Sequence, residues 1–111
     1  MPLTRATSTL VNTNIVDLST GTNIDCSAGT YFTKTISSAT TFTVSNVPSD
    51  RTYAFTLELQ GNAAVTWWSG VVWPLSSAPV MVSSLVGLFM FVTDNGGVTW
   101  RGSYVTNYAV S

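Results

Sequence analysis

The sequence predicts an all-β protein: an antiparallel, jelly-roll-like β-sandwich of about eight short strands with extended terminal arms. Three observations predict this class. Val, Thr and aromatic residues, which favour strands, are abundant, whereas Glu, Lys and Gln, which favour helices, are scarce. Short apolar segments recur at the spacing of about 8–12 residues that is typical of sandwiches. Asn95-Gly96, a strong hairpin signal, lies between two of them.

A chain of 111 residues is expected to form one domain. Residues 1–18 are rich in Thr, Asn and Ser and have spaced aliphatic residues, which predicts an extended arm with a short strand near residues 14–17. The sandwich is expected at residues 19–105, and a C-terminal arm at residues 106–111. The alternative is a frayed terminus, but the aliphatic residues favour an arm that docks on this subunit or on a neighbour. Its candidate contact residues are Leu10, Val11 and Ile15.

The first half of the domain contains three predicted strands separated by turn residues. A turn at residues 19–21 precedes a short strand at residues 23–26. Residues 30–36 alternate in polarity, and residues 40–44 follow as the next strand. On the strand at residues 30–36, one face is predicted to carry Phe32, Lys34 and Ile36.

The second half opens on the clearest period of two in the chain, at residues 52–60, whose apolar face is Tyr53, Phe55, Leu57 and Leu59. Gly61-Asn62 is a two-residue hairpin signal and predicts a returning strand at residues 63–68. A short strand is predicted at residues 71–73, ended by Pro74, and another at residues 80–82.

The last hairpin, at residues 85–105, is the strongest fold signal. With Asn95 and Gly96 at its turn, Phe91 faces Trp100. The same register sets Phe89 opposite Gly102 and Tyr104 opposite Gly87, so that each glycine lies beneath an aromatic ring.

The first strand of this hairpin is apolar on both faces. Phe89 and Phe91 point one way, and Leu88, Met90 and Val92 point the other. An antiparallel strand with one solvated face would alternate instead. We therefore expect the second face to meet either the other sheet or a neighbouring subunit.

The composition excludes several classes of partner. Charged residues make up 8% of the chain, the net charge is −1, and the four basic residues are scattered, which argues against nucleic-acid binding. No apolar run approaches the ~18 residues of a membrane span, and the N-terminus does not resemble a signal peptide. One cysteine excludes an internal disulfide. A chain so poor in charge gains most by burying surface in an assembly.

No residue pattern predicts catalysis, a cofactor or a metal, and we expect a protein that is not an enzyme. The chain has no histidine, which removes the commonest general base and metal ligand. Asp25, next to Cys26, is expected to raise the pKa of that thiol. The five acidic residues are isolated in sequence. The segment at residues 94–97 favours a turn over a calcium loop, since Asx side chains stabilise turns.

Trp67, Trp68 and Trp73 are clustered in sequence, and an exposed indole stacks well on a sugar ring. Trp67 and Trp68 are adjacent, so on a strand they are expected to point to opposite faces and only one to serve the core. Packing in the core or at a subunit interface, with Trp68 as the interface residue, is favoured over a glycan platform formed by the three tryptophans.

Several segments together resemble a β-rich module that recurs in virion proteins of tailed bacteriophages, often as a C-terminal part of tail-fibre-like or other structural proteins. The resemblance covers about residues 23–108, and its most specific part is the hairpin. The resemblance implies a virion structural protein and carries over no catalytic residue. The segments that carry it are residues 25–36, 52–59, 72–74 and 88–102.

Only about twenty residues precede the module, which favours a capsid decoration (cement) protein over a fibre. The resemblance implies a homotrimer that binds the major capsid protein on the outer surface of the phage particle and stabilises the shell. Leu88, Met90 and Val92 are then the expected interface. The alternative is a tail-fibre or receptor-binding module that binds host-surface glycan through its tryptophans.

Overall fold

Ten strands form the structure, a computed structural model that describes residues 15–79 and 85–109, with the backbone alone at Leu85, Thr106 and Asn107. A 3₁₀ turn at Pro74–Ser76 is the one helical segment in these ranges, which therefore contain no helix that could span a membrane. In chain order the strands are β1 (Val16–Asp17), β2 (Asn23–Asp25), β3 (Tyr31–Thr35), β4 (Thr40–Thr41), β5 (Thr43–Ser45), β6 (Tyr53–Gln60), β7 (Val65–Thr66), β8 (Val71–Val72), β9 (Leu85–Thr93) and β10 (Trp100–Ala109).

The strands from β1 to β7 stack in parallel, one turn of the chain upon the next. β1, β3 and β6 form one stack, β2 and β5 a second, and β4 and β7 a third. Backbone hydrogen bonds continue the stacking outside the strands: the Leu18 N–H donates to the Thr33 carbonyl at 2.9 Å, and the Phe42 N–H donates to the Thr66 carbonyl at 3.0 Å. The chain therefore follows the path of a short parallel β-helix.

An antiparallel hairpin, β9 and β10, closes this coil on one side. β9 pairs antiparallel with β6, and the six-stranded sheet has the order β1-β3-β6-β9-β10-β8. The predicted all-β class is confirmed. The antiparallel, jelly-roll-like sandwich of eight strands is not, because five of the seven pairings among the described strands are parallel. The sequence did not predict this because polar and apolar side chains alternate along a strand whether its partner is parallel or antiparallel.

The segment after β6 is a corner of the coil and not the predicted hairpin. The returning strand expected at residues 63–68 is reduced to β7, which pairs in parallel with β4. Gly61 adopts a φ of 118°, and beside it the Ile36 N–H donates to the Gln60 carbonyl at 2.9 Å. This hydrogen bond holds the corner against the preceding turn of the coil, so the chain cannot fold back along β6.

The core lies beneath the inner face of the six-stranded sheet. Phe32, Leu57 and Phe89 are completely buried there, and Ile24 is buried in the second stack beside its register neighbour Val44. Hydrophobic burial of this kind supplies most of the driving force for folding. One continuous row across the sheet consists of Val16, Phe32, Leu57, Phe89 and Tyr104.

The hairpin of β9 and β10 forms with a register two residues away from the predicted one. Phe91 faces Gly102, whereas a tight turn at Asn95-Gly96 predicts Phe91 opposite Trp100. A displacement of two positions leaves every side chain on its predicted face, because side chains alternate with a period of two. The predicted grouping of Phe89 and Phe91 on one face and of Met90 and Val92 on the other is therefore confirmed. The structure places the phenylalanines in the core and leaves Met90 and Val92 exposed, so the second sheet does not cover that face.

Side chains shape the loop that joins β9 to β10. Gly96 and Gly97 have φ angles of 72° and 90°, so they, and not Asn95, occupy the left-handed positions. The buried Thr93 hydroxyl accepts a hydrogen bond from the Gly97 N–H and donates one to Asn95 Oδ1, both at 3.0 Å. Asn95 Oδ1 also accepts from the Thr99 N–H at 2.9 Å. These polar atoms stabilise the loop, in agreement with the turn interpretation of this segment.

Replacing Thr93 with valine is expected to lower the free energy of unfolding by about 1–3 kcal/mol, because the partly buried Gly97 N–H loses its acceptor. Urea unfolding of purified protein measures the change. The matched control is Thr35→Val at an exposed position, which is expected to stay within about 0.5 kcal/mol of the wild type. Equal midpoints for the two variants would contradict the role assigned to the Thr93 hydroxyl.

Aromatic rings cover both glycines of the hairpin, one as predicted and one by a different ring. A Cβ atom on Gly87 would lie 2.7 Å from Tyr104 Cε1, which confirms the first contact. A Cβ atom on Gly102 would lie 2.7 Å from Trp73 Cζ3, so Trp73 takes the place expected for Phe89. The reason is that β8 pairs with β10 and brings the following tryptophan over this strand.

The chain ends differ in part from the predicted arms. β10 continues to Ala109, where it pairs with Leu85, so residues 106–109 belong to a strand and not to the C-terminal arm expected at residues 106–111. The short strand predicted within the N-terminal arm is present as β1, paired with β3. Leu10, Val11 and the strand predicted at residues 80–82 lie outside the described residues.

Candidate functional site

The outer face of β6, β9 and β10 carries three rows of side chains, which we call the outer patch. Its apolar side chains are open to solvent: Met90 and Val92 along the middle strand β9 are each 40% exposed, and Val105 on β10 is 41% exposed. Because Phe89 and Phe91 on β9 point into the core, the alternation of side chains along the strand directs Met90 and Val92 outward. The rows are Ala54, Val92 and Arg101; Thr56, Met90 and Ser103; and Glu58, Leu88 and Val105.

The surface of the outer patch is shallow and continues toward β3. One depression of about 340 Å³ lies beside Met90 and Arg101, and a second of about 280 Å³ lies between Leu88, Tyr31 and Tyr108. Tyr108 is itself 47% exposed. Broad, shallow and apolar surfaces of this kind fit a flat protein partner better than an enclosed small molecule.

Polar groups lie at the rim of the outer patch. The Tyr31 hydroxyl donates to Glu58 Oε1 at 2.6 Å, and this hydrogen bond raises the pKa of Tyr31 to about 12. Arg101 Nη1 lies 3.6 Å from Asp94 Oδ1 with both side chains exposed, an ion pair that contributes little to stability. An apolar centre within a polar rim is the usual anatomy of a protein–protein interface.

The structure brings together some of the predicted interface residues and separates others. Leu88, Met90 and Val92 share the outer patch. Ile15 is 68% exposed but precedes β1, which β3 and β6 separate from β9. Trp68 packs with the core aromatic residues on the inner side of the sheet. The surface that the structure builds is therefore centred on β9 alone.

The two adjacent tryptophans do not point to opposite faces. Trp67 and Trp68 follow the short strand β7 and both contact Phe91, with ring centroids 5.3 and 4.7 Å away. The predicted alternation fails because the chain leaves strand geometry at Thr66. Both indoles therefore contribute to one aromatic cluster.

The faces of the three candidate glycan-stacking tryptophans are engaged within the protein. Phe42 stacks on Trp67 at 5.8 Å with an interplanar angle of 17°, and Trp73 lies over Gly102. The Trp68 indole N–H is buried and has no acceptor among the described residues. A sugar ring needs an open indole face, and these contacts leave less of it than a dedicated platform would.

Each of the five acidic side chains has a polar partner close to it. Hydrogen bonds from the Ser27 hydroxyl, Asn46 and the Ser27 N–H lower the pKa of Asp25. Within residues 15–79 and 85–109, no three His, Cys, Asp or Glu side chains group as metal ligands. The acids therefore serve turns and surface pairs. The partners are Asp17 with the Ser19 N–H, Asp25 with Ser27 and Asn46, Asp50 with Arg51, Glu58 with Tyr31, and Asp94 with Arg101.

Cys26 is 5% exposed, and burial raises the pKa of its thiol to about 11. A hydrogen bond with Tyr53 lowers this pKa, and the charge of Asp25 raises it, as predicted from the sequence. Burial is nevertheless the larger cause. A thiol with so high a pKa is a poor nucleophile at neutral pH.

One residue that sequence reasoning left without a role is Lys34. Its position with Phe32 and Ile36 on an apolar face was a signal that its side chain would be buried, and the structure places it there with 9% exposure.

No protein-family model, curated protein or solved structure matches this chain.

Proposed function

We propose that this chain is a non-enzymatic structural protein of a bacteriophage virion, a capsid decoration (cement) protein that trimerises and stabilises the shell. The observation that supports self-association is the outer patch, where Met90, Val92 and Val105 expose apolar surface on a regular sheet. The resemblance to a β-rich module of bacteriophage virion proteins supports the assignment to a virion. A protein that binds only the assembled shell stabilises that shell by mass action.

The occupant proposed for the outer patch is a second copy of this chain. Both charge signs lie at its corners, Glu58 on β6 and Arg101 on β10, in rows at opposite ends of the patch. In a trimer each interface joins two different parts of the surface, so the Glu58 edge of one copy can offer a carboxylate to the Arg101 edge of the next. The net charge of −1 makes repulsion between copies small.

The alternative function, a tail-fibre or receptor-binding module for host glycan, has less support. Trp67, Trp68 and Trp73 belong to the aromatic cluster around Phe91 and do not form an open row. The copy number in purified phage particles separates the two functions. Hundreds of copies for each particle support the shell, whereas a handful would place the protein in the tail and overturn the decoration proposal.

Replacing Val92 with lysine is expected to weaken self-association at least about 100-fold, because burying an ammonium in an apolar interface is costly. Size-exclusion chromatography with light scattering, over a range of protein concentrations, measures the oligomer. The wild type is expected to be a trimer and the variant a folded monomer.

The matched control for this experiment is Val98→Lys, in the loop after β9, where the side chain is already 73% exposed. It adds the same charge outside the outer patch and is expected to leave the trimer intact. A wild type that stays monomeric at high concentration, or a Val92→Lys protein that stays trimeric, would show that the outer patch is not the interface.

A further inference from the structure

A cleft of about 550 Å³ lies between the turn after β1 and the connection from β3 to β4, and it shares no residue with the outer patch. Eight of its eleven lining residues are serine or threonine, and none is aspartate or glutamate. Hydroxyl groups both donate and accept hydrogen bonds, so this wall suits a ligand with several polar atoms. The volume exceeds what a single water or inorganic ion requires.

The one charged residue that lines the cleft is Lys34, which is 9% exposed. Its Nζ donates to the Ser19 carbonyl at 2.7 Å, and Ser19 also lines the cleft. Among the described residues, the two ion pairs are Arg51 with Asp50 and Arg101 with Asp94, so no carboxylate pairs with this ammonium. An ammonium has three N–H donors, and a buried charge is normally paired.

The turn at Ser19 holds the acceptor of Lys34 in place. Ser19 has a φ of 55°, a left-handed conformation that non-glycine residues seldom adopt. Two hydrogen bonds keep it there: the Gly21 N–H donates to the Leu18 carbonyl at 2.8 Å, and the Ser19 N–H donates to Asp17 Oδ1 at 2.9 Å. The strained turn thus directs a carbonyl at the partly buried Lys34 ammonium and fixes this cation at the cleft wall.

We propose that this cleft binds a small polyhydroxylated carboxylate, with the chemistry of a uronic acid. The ligand carboxylate supplies the anion that Lys34 lacks, and the ligand hydroxyls exchange hydrogen bonds with the serine and threonine wall. The proposal rests on Lys34 and its surroundings and is independent of the function assigned to the outer patch.

The test is a titration of the full-length ¹⁵N-labelled protein with glucuronate, followed by amide chemical shifts. Saturable shifts are expected at residues that line the cleft, such as Thr20, Thr22 and Ser38. Glucose matches the hydroxyls without the charge, and sulfate supplies an anion without the hydroxyls; each is expected to bind at least tenfold more weakly. Sulfate or glucose binding as tightly as glucuronate, or no saturable shift with glucuronate, would overturn the proposal.

Lys34→Met retains the length of the side chain without its charge and is expected to weaken glucuronate binding at least tenfold. The control is Arg51→Met, which removes an exposed positive charge outside the cleft and is expected to leave binding unchanged. If Lys34→Met does not fold, Thr22→Val removes one wall hydroxyl and is expected to weaken binding severalfold. Unchanged binding in the folded Lys34→Met protein, or in Thr22→Val where that variant is the one used, would refute the site.

Discussion

Replacing Phe91 with alanine is expected to destabilise the protein by about 3–5 kcal/mol, the usual cost of removing a large aromatic side chain from a core. Phe91 is 1% exposed and lies at the centre of the aromatic cluster. The ring centroids of Trp68, Phe55, Trp67 and Trp73 lie 4.7, 5.2, 5.3 and 5.6 Å from its own. These four residues come from three separate segments of the chain, so the cavity cannot close by movement of one element.

Guanidinium unfolding at a single protein concentration measures the loss, and Phe91→Leu is expected to lose less because it fills more of the cavity. The control is Val98→Ala at a solvent-exposed loop position, expected within about 0.5 kcal/mol of the wild type. A midpoint for Phe91→Ala close to that of Val98→Ala would mean that the cluster does not hold the hairpin of β9 and β10 to the coil.

Gly61→Ala is expected to destabilise the protein by at least ~3 kcal/mol, from backbone strain and a steric clash together. The φ of 118° at Gly61 is one that residues with a Cβ rarely adopt. A Cβ atom there would meet the carbonyl of Ile36, well inside van der Waals contact. Because that carbonyl belongs to the backbone of the preceding turn, relief requires the coil itself to open.

Gly96→Ala separates the two contributions to this loss. Gly96 also has a positive φ, 72°, but a Cβ atom would lie 3.6 Å from its nearest neighbour, the Ser49 Cα, in ordinary contact. It is therefore expected to cost only about 1–2 kcal/mol, from backbone strain alone. Thermal unfolding followed by circular dichroism compares the Gly61→Ala and Gly96→Ala variants. Equal losses of stability would show that the backbone at Gly61 and Ile36 relieves the clash at little cost.

The sequence predicted correctly what depends on near neighbours. The alternation of β9 placed Phe89 and Phe91 on one face and Met90 and Val92 on the other, and this grouping held despite a wrong turn and a register displaced by two positions. The reason is that a strand alternates whatever it pairs with. Which of the two faces is the core was decided by the structure. The positions of β3 and β6 were predicted from the same alternation, and those of β2 and β8 from the turn residues around them.

The arrangement of the strands was beyond the sequence because it depends on distant partners. Gly61-Asn62 has the residues of a hairpin turn, yet a hydrogen bond from Ile36 makes it a corner of a coil. The register of the last hairpin likewise follows from the Thr93 and Asn95 side chains, whose hydrogen bonds no propensity reports.

The candidate sites divide in the same way. Leu88, Met90 and Val92 were evident as a doubly apolar strand, whereas Glu58 and Arg101 join them only through strand pairing. The cleft at Lys34 needed the structure, because the turn at Ser19 comes to the lysine from another turn of the coil.

Because β9 pairs antiparallel with β6, further parallel turns can be added to the coil at one end only. β6 has β3 on one side and the hairpin on the other, so a further parallel rung has no free edge of β6 to join. At the opposite end, β1 is the terminal strand of the described sheet. The hairpin thus acts as the capping unit that solenoid proteins place at an end. We therefore expect that a designed variant with additional turns of the coil must carry them before β1 and must keep β9 and β10 as the capping unit.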